Sequence, residues 1–358
     1  MIINGVSAYA NVTTRVRGMI GNLLGEETFV RLNACPDLST LLAKLSETSY
    51  GSYLIGSQET QKFSRRAEYE IRKKLTHAFK VIISHAPAFA RPLLTQSFKL
   101  YEVDNLKAVL RGIEIGEDWD KIRYMLFPME DFPTLPFEKL VRKGTIEGAI
   151  QQLHNTEYER ELSIAFDRYR QEESLFPLEV ALDLNYWRVL WNDIDALPHA
   201  DEKIARKLIG MMVDKNNLTW AARYRIYHRL SESEIINYTL PFGYKIDDAV
   251  IRAIATDRNP YHLVAEIYPE IAVEGNLEEK SSSNRQLNET LLTRLIYTAC
   301  HQTFAAGTFN IGLLLAYLFV LEMEIQDLTL LIEAKALGVP SDLYAPYLIH
   351  KLPHPGKN

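Results

Sequence analysis

Apolar positions recur three or four residues apart through most of this chain, and strict alternation is nowhere sustained. From Thr60 to Ser84 the residues Phe63, Ala67, Ile71, Leu75, Ala78, Phe79 and Ile82 form one helical stripe closed by Pro87. Leu106, Val109, Leu110 and Ile113 form another, on a helix whose first turn suits Pro92. The same spacing predicts helices over Tyr9–Leu24, Phe137–Leu153, Glu157–Glu173, Leu175–Asp193, Leu291–Ala306 and Asn310–Leu337. A further helix holds Asp214, and a short one starts at Asp247. Pro36 with Asp37 marks a helix start, Gly51 a stop, and Gly338 followed by Pro340 another stop. The polar run Glu274–Asn288 reads as a linker, and the proline-bearing tail from Tyr344 reads as loose.

One pattern recurs. An acidic residue, Asn three later, Leu four later and Arg nine later occur as Glu102, Asn105, Leu106 and Arg111, and again as Asp214, Asn217, Leu218 and Arg223. A weaker copy keeps Glu324, Asp327 and Leu328 but has Glu333 where Arg is expected. An N-terminal partial copy keeps Asn11 and Arg17. The copies lie roughly 94, 112 and 110 residues apart, far beyond the 20 to 50 of an ordinary solenoid repeat. A second element recurs too: Leu45, Thr48 and Tyr50 are echoed by Leu153, Thr156 and Tyr158. Homologous bundles, each of many residues, account for both.

The first 55 residues look like the second half of such a unit, and the last 70 like the first half. The termini are therefore expected to join. The expected architecture is all-α: three homologous helical bundles, arranged as a ring or funnel with pseudo-threefold symmetry. Residues 1–56 with 285–343 make the terminal bundle, 57–156 the second, 157–284 the third and 344–358 the tail.

Composition narrows the function more than it names it. With 358 residues the chain can hold two or three cores, and 17 Gly with 15 Pro leave long uninterrupted segments. A net charge of -6 provides no global field toward nucleic acid or an anionic membrane. Two cysteines, Cys35 and Cys300, and no secretory pattern at the start predict a reducing, cytoplasmic setting. The apolar run Ile311–Leu321 is about half the ~20 residues of a spanning helix and reads as a buried central helix.

No phosphate loop, dinucleotide turn or nucleophile elbow is present, and no histidine follows an acid by three positions. His350 and His354 have a zinc-like spacing but no cysteine pair beside them, so no metal, cofactor or catalytic residue is assigned. The basic run Lys62, Arg65, Arg66, Arg72, Lys73, Lys74 and Lys80 is interrupted by Glu59, Glu68 and Glu70 and reads as a solvated helix face. Tyr186, Trp187, Trp191, Trp220, Tyr224 and Tyr227 could form an aromatic box, but their spacing also suits packing between helices.

In the repeated motif, acid and Asn share a helix face, while nine residues place the Arg on the opposite side. Recurrence favours a structural role over catalysis: acid and Asn would bond exposed backbone at a turn, and the Arg would pair with another helix.

The segments YANVTTRVRG at Tyr9, LSETSYG at Leu45, DNLKAVLRG at Asp104, VDKNNLTWAARYR at Val213 and FNIGLLLAYLFVLEMEIQDLTLLIEAKALGVP at Phe309 carry a resemblance. In that order and spacing they resemble the C subunits of the archaeal and bacterial A/V-type ATPases, a family that includes the d subunit of the eukaryotic vacuolar ATPase. The resemblance implies a non-catalytic, all-helical funnel of three bundles, seated peripherally on the cytoplasmic face of the membrane. Its partners would be the proteolipid rotor ring and the central-shaft subunits D and F, whose foot its socket would receive. Asp327 and Thr329 depart from the family pattern. The competing readings are a free helical scaffold binding proteins in a concave surface, and a helical enzyme with a central cavity.

Overall fold

The computed structural model describes residues 5–54, 63–256, 266–269 and 282–351. Among these the fold is all-helical, with no strand. The α-helices are α1 Gly5–Ile20, α2 Glu26–Asn33, α3 Leu38–Ser46, α4 Gly51–Leu54, α5 Phe63–His85, α6 Arg91–Glu114, α7 Trp119–Ile122, α8 Phe137–Val141 and α9 Ile146–Gln152. They continue as α10 Glu159–Glu172, α11 Phe176–Asp195, α12 His199–Arg223, α13 Glu232–Asn237, α14 Asp248–Thr256, α15 Ser282–Ala305, α16 Ile311–Leu337 and α17 Ser341–Tyr344. A π-helical turn, Tyr224–His228, extends α12.

Local chemistry sets the ends. Asp37 caps α3 through the Thr40 N–H, Thr145 caps α9 through Gly148, and Asn310 caps α16 through Gly312. Ser231 and Glu234 form a capping box on α13. Pro92 lies in the first turn of α6, and Gly338 stops α16 in the left-handed region, at φ 65°.

Three sequence expectations need correction. The Phe137–Leu153 stripe is two helices, α8 and α9, because Gly144 turns at φ 68° and Thr145 starts a new cap. Gly51 begins a short helix instead of ending one. A Cβ there would lie 2.1 Å from the Ser46 carbonyl oxygen, so the turn closes only on glycine. The 282–288 part of the expected linker is helix, because adding a residue to a helix already nucleated by the packed residues beyond Leu291 avoids the cost of starting a new one. The rest of that linker, 274–281, lies outside the described residues.

The chain divides into two compact units: residues 1–55, 84–87 and 197–358, and residues 56–83 with 88–196. In the second unit α6 is central, packing against α11, α8 and α9, while α10 pairs with α11. Phe79, Phe98, Tyr101, Phe127 and Phe132 make an aromatic cluster along α6; the Tyr101 and Phe127 rings stack at 4.0 Å. In the first unit α16 is central, touching α1, α3, α12 and α15. Every residue from Ile311 to Leu321 is buried, as expected of a core helix. Among the described residues no helix is long and apolar enough to cross a membrane.

The aromatic series is mixed. Tyr186, Trp187 and Tyr224 are buried core, while Trp191 and Trp220 are half-buried; the Tyr227 side chain lies outside the described part. On α5, Arg65, Arg66 and Lys80 are exposed, and Lys80 pairs with Asp131. Lys74 is buried, so the expected solvated face is narrower than the basic run, and Lys62 lies outside the described residues.

A Leu315→Ala substitution in the fully buried stretch of α16 is expected to cost roughly 2 to 5 kcal/mol, read as a lowered denaturant midpoint at unchanged slope.

Candidate functional site: three repeated carboxylate clasps

The repeated acid sits inside each helix, buried, where an ionised or polar group is tolerated only if its oxygens are filled. Glu102 on α6 accepts the Leu135 N–H at 2.9 Å and the Tyr158 hydroxyl at 2.7 Å. Asp214 on α12 accepts the N–H groups of Tyr244, Lys245 and Ile246 at 2.9, 2.7 and 3.2 Å, and the Tyr268 hydroxyl at 2.5 Å. Glu324 on α16 accepts the Leu24 N–H at 2.5 Å and the Tyr50 hydroxyl at 2.7 Å. Each acid thus takes one tyrosine hydroxyl and loop backbone. The third tyrosine comes from the opposite end of the chain, 274 residues away.

The residue three positions on grips a second loop. Asn105 accepts the Phe127 N–H at 2.6 Å and donates to the Phe127 carbonyl at 2.9 Å. Asn217 does the same with Leu240, at 2.8 and 3.0 Å. Asp327 accepts the N–H groups of Ile349 and His350 at 2.7 and 2.8 Å, and lies 2.7 Å from His350 Nδ1. The gripped residue lies 22 or 23 positions along the chain in every copy. The leucine of each copy, Leu106, Leu218 and Leu328, is buried.

These contacts correct the reading of the tail. Residues 344–351 are not loose: they form the third gripped loop, with Tyr344, Leu348, Ile349 and His350 buried. Arg294 donates to the carbonyls of Pro346 and Leu348, and the Tyr344 hydroxyl to Asn33 Oδ1. The prolines suggested a loose end where a docked segment stands, because proline spacing says nothing about which carboxylate awaits the neighbouring N–H groups. His354 and the rest of 352–358 lie outside the described residues, and His350 is engaged by Asp327.

The arginines diverge. Arg111 forks onto both oxygens of Glu179 on α11, at 2.5 and 2.8 Å. Arg17 donates to the Gly307 carbonyl at 3.0 Å and lies over the Phe309 ring. Arg223 is exposed and makes no hydrogen bond or ion pair among the described residues, which departs from the expected pairing. Asn11 is exposed and accepts from Arg15 on its own helix; among the described residues it grips no loop. Its neighbour Tyr9 instead donates to buried Asp201, which also accepts the Ile311 N–H.

Sequence reasoning missed Tyr268 and Asp201. Leu263, Glu266 and Tyr268 repeat the spacing of Leu45, Thr48 and Tyr50, with Glu in place of Thr, so the third tyrosine had a signal. The threonine itself has a local job: Thr48 and Thr156 donate to the carbonyls of Leu45 and Leu153, each at 2.6 Å, and set the turn that presents the tyrosine. Asp201 had no comparable repeat.

The electrostatics follow from burial. Burial first, then the adjoining carboxylate, holds the hydroxyls of Tyr9, Tyr50 and Tyr158 far above the ordinary phenol range, so they remain donors. Burial also raises the Asp214 carboxyl, although the Tyr268 hydroxyl and three backbone N–H groups pull it down. On α6, Lys107 reaches Asp183 on α11 at 2.6 Å. Burial raises the Asp183 carboxyl; burial also pulls the Lys107 amine down, but the two acids Asp104 and Asp183 outweigh it and keep Lys107 charged, so the ion pair is the form consistent with that distance. No group of three or more His, Cys, Asp or Glu among the described residues is placed to hold a metal.

The fold and these clasps define an all-helical protein assembled from internal repeats of one gripping device. Residues 12–345 match the family model described as ATP synthase (C/AC39) subunit, and the chain belongs to that family, whose members are non-catalytic subunits of the complex. It is 22% identical over 339 residues to the C subunit of the A-type ATP synthase of Methanocaldococcus jannaschii, covering 94% of this chain and 84% of the relative. The C subunit of the Methanothermobacter thermautotrophicus A-type ATP synthase is 24% identical, covering 92% and 83%; that of Methanosarcina mazei is 23% identical, covering 96% and 94%.

Removing a clasp carboxylate strands its donors, each costing about 1 to 3 kcal/mol. Asp214→Ala, which strands four, is expected to destabilise more than Glu102→Ala, which strands two; chemical denaturation checks the order. A raised folded carboxyl holds its proton more tightly than the unfolded one, so its ionisation costs stability as pH rises through that interval. Acidification from neutral pH through the interval is therefore expected to stabilise the wild type relative to Asp214→Asn, measured as paired denaturant midpoints.

Proposed function

We propose that the protein is a rotor component of an A/V-type ATPase or ATP synthase, a socket that links the central shaft to the membrane rotor ring. Its partners in this reading are the shaft subunits D and F and the proteolipid ring. It sits peripherally on the cytoplasmic face and adds no span of its own, in line with the lack of a helix fit to cross a membrane among the described residues. The chain is read as three bundles, 1–56 with 285–343, 57–156 and 157–284, which together make a funnel whose rim takes the shaft. The grip of Asp327 extends the first of these through His350.

The observation that carries this reading is the clasp itself, repeated in a chain of this family. A part that transmits torque has to resist shear between its helices and loops. Buried, fully satisfied polar networks do this, because any sliding leaves a carboxylate or an N–H unpaired in a low-dielectric interior. Close packing alone resists compression, whereas a directional bond fixes register as well. Arg111 is different. Its side chain is 60% exposed, so its ion pair with Glu179 adds only about 1 kcal/mol or less.

Co-expression with the shaft subunits of the same source, followed by native mass spectrometry at moderate salt, is expected to yield a stoichiometric complex. A lone monomer, even with the ring present in nanodiscs, would overturn the rotor reading and leave a free protein-binding scaffold.

A further inference from the structure

In the unit of residues 56–83 and 88–196, α5 turns one strongly basic face to solvent. At 3.6 residues per turn Arg65, Arg66, Tyr69, Arg72 and Lys73 fall within about 120° of one another, opposite the buried Ala67, Ile71 and Leu75. The stripe runs on through His77 and Lys80, and there the chain answers it with carboxylates of its own. Glu130 meets His77 at 2.6 Å and Lys73 at 3.8 Å, Asp131 pairs with Lys80, and Glu70 at the edge of the stripe holds Lys73 at 2.8 Å. Arg65, Arg66 and Arg72 receive no such answer. Among the described residues none of the three has a hydrogen bond, an ion pair or a ring contact.

The aromatic part of this face is fixed in place. Tyr69 and Tyr124, both half-buried, meet edge to face with centroids 6.1 Å apart; Lys73 lies over the Tyr69 ring at 5.3 Å and Arg123 over the Tyr124 ring at 4.7 Å. Arginine and tyrosine carry much of the binding energy at protein interfaces, the first by forking onto a carboxylate, the second by offering broad area on a side chain with few torsions to freeze.

We propose that the face of Arg65, Arg66 and Arg72, with Tyr69 and Tyr124 beside it, is the docking surface for a carboxylate-bearing surface of the central shaft, an inference that rests on the rotor reading above. The other half of the same stripe supplies the template: Glu130 and Asp131 show that a carboxylate is the group this spacing of cations accepts. A lipid surface or a membrane-embedded partner suits the face less. Among the described residues no exposed large apolar side chain lies on α5, and a helix that seats itself on lipid buries several. Three cations within two turns repel one another in the free protein, and an acidic partner relieves that repulsion on docking, so association is steered by charge and weakened by salt.

The test is binding of the purified shaft complex of subunits D and F to the full-length protein, measured by biolayer interferometry at low and at physiological ionic strength. The triple variant Arg65→Ala, Arg66→Ala, Arg72→Ala is expected to keep the wild-type denaturant midpoint, to bind roughly three- to a hundredfold more weakly at low salt, and to lose most of the salt dependence. Arg160→Ala with Arg170→Ala, which removes two exposed arginines of α10 in the same unit, is expected to leave the affinity unchanged. A triple variant that matches the wild type in affinity and salt dependence would overturn the assignment and leave the rotor reading standing. An equal loss in the α10 variant would reduce the effect to net charge and overturn it too. A wild type that binds no shaft, with or without the ring, would sink both readings. Vesicles of phosphatidylglycerol in phosphatidylcholine supply the last arm: if they retain the wild type but not the triple variant, while shaft affinity is the same for both, the face belongs to lipid and not to the shaft.

Discussion

A buried carboxylate that must be filled from several directions at once is the constraint on which this structure depends. In an apolar interior its oxygens cost several kcal/mol unless each meets a donor. Glu102, Asp214 and Glu324 meet theirs from loops and from a tyrosine brought in by another part of the chain. One residue in the middle of a helix thereby fixes where two other segments may lie. The neighbouring amide or carboxylate, three positions on, fixes a third. Helix packing supplies the bulk of the stabilisation, and the clasps choose one register among the many that packing alone would tolerate.

That division explains why the copies tolerate so much variation elsewhere. Glu and Asp alternate in the acid position, because a longer or shorter arm is compensated by where the loop comes to rest. Asp214, the short one, pulls three consecutive N–H groups around itself, and a Cβ on Gly243 would lie 2.1 Å from its oxygen. Glu102 reaches a single N–H. The arginine nine residues on lies on the far side of the helix and is free to differ, which is what Arg111, Arg223 and Glu333 do.

How much of this was legible in the sequence follows from the range of each interaction. Helices were legible because 3.6-residue periodicity is local, and their ends were legible where a side chain caps its own helix, as Asp37 and Asn310 do. The acid–Asn pair was legible because it repeats, and its role followed from the helix geometry of three against nine residues. Among the described residues the pairing expected of Arg223 does not form, because repeating a residue does not repeat its neighbours. The docking of the tail was hidden because its partner, Asp327, lies 22 residues upstream, and no local pattern in a proline-bearing segment announces a distant acceptor. Tyr268 was hidden because its threonine has become Glu266, although the tyrosine and its leucine kept their places.

The pairing of Tyr50 with Glu324 reaches across 274 positions, while Tyr158 and Tyr268 lie only 56 and 54 from their acids. On the ribosome the acid is made first in two of the three sites, and the tyrosine follows within seconds at ordinary rates of synthesis. At the third site the order is reversed. The first three helices emerge without the helix that is to hold them, and their apolar faces wait until nearly the whole polypeptide has been extruded. Closing so long a loop is slow, and contacts of this range dominate the folding time. The first three helices and the turns between them, from Leu24 and Asn33 to Tyr50, are thus the part of the nascent chain that waits longest for its partners.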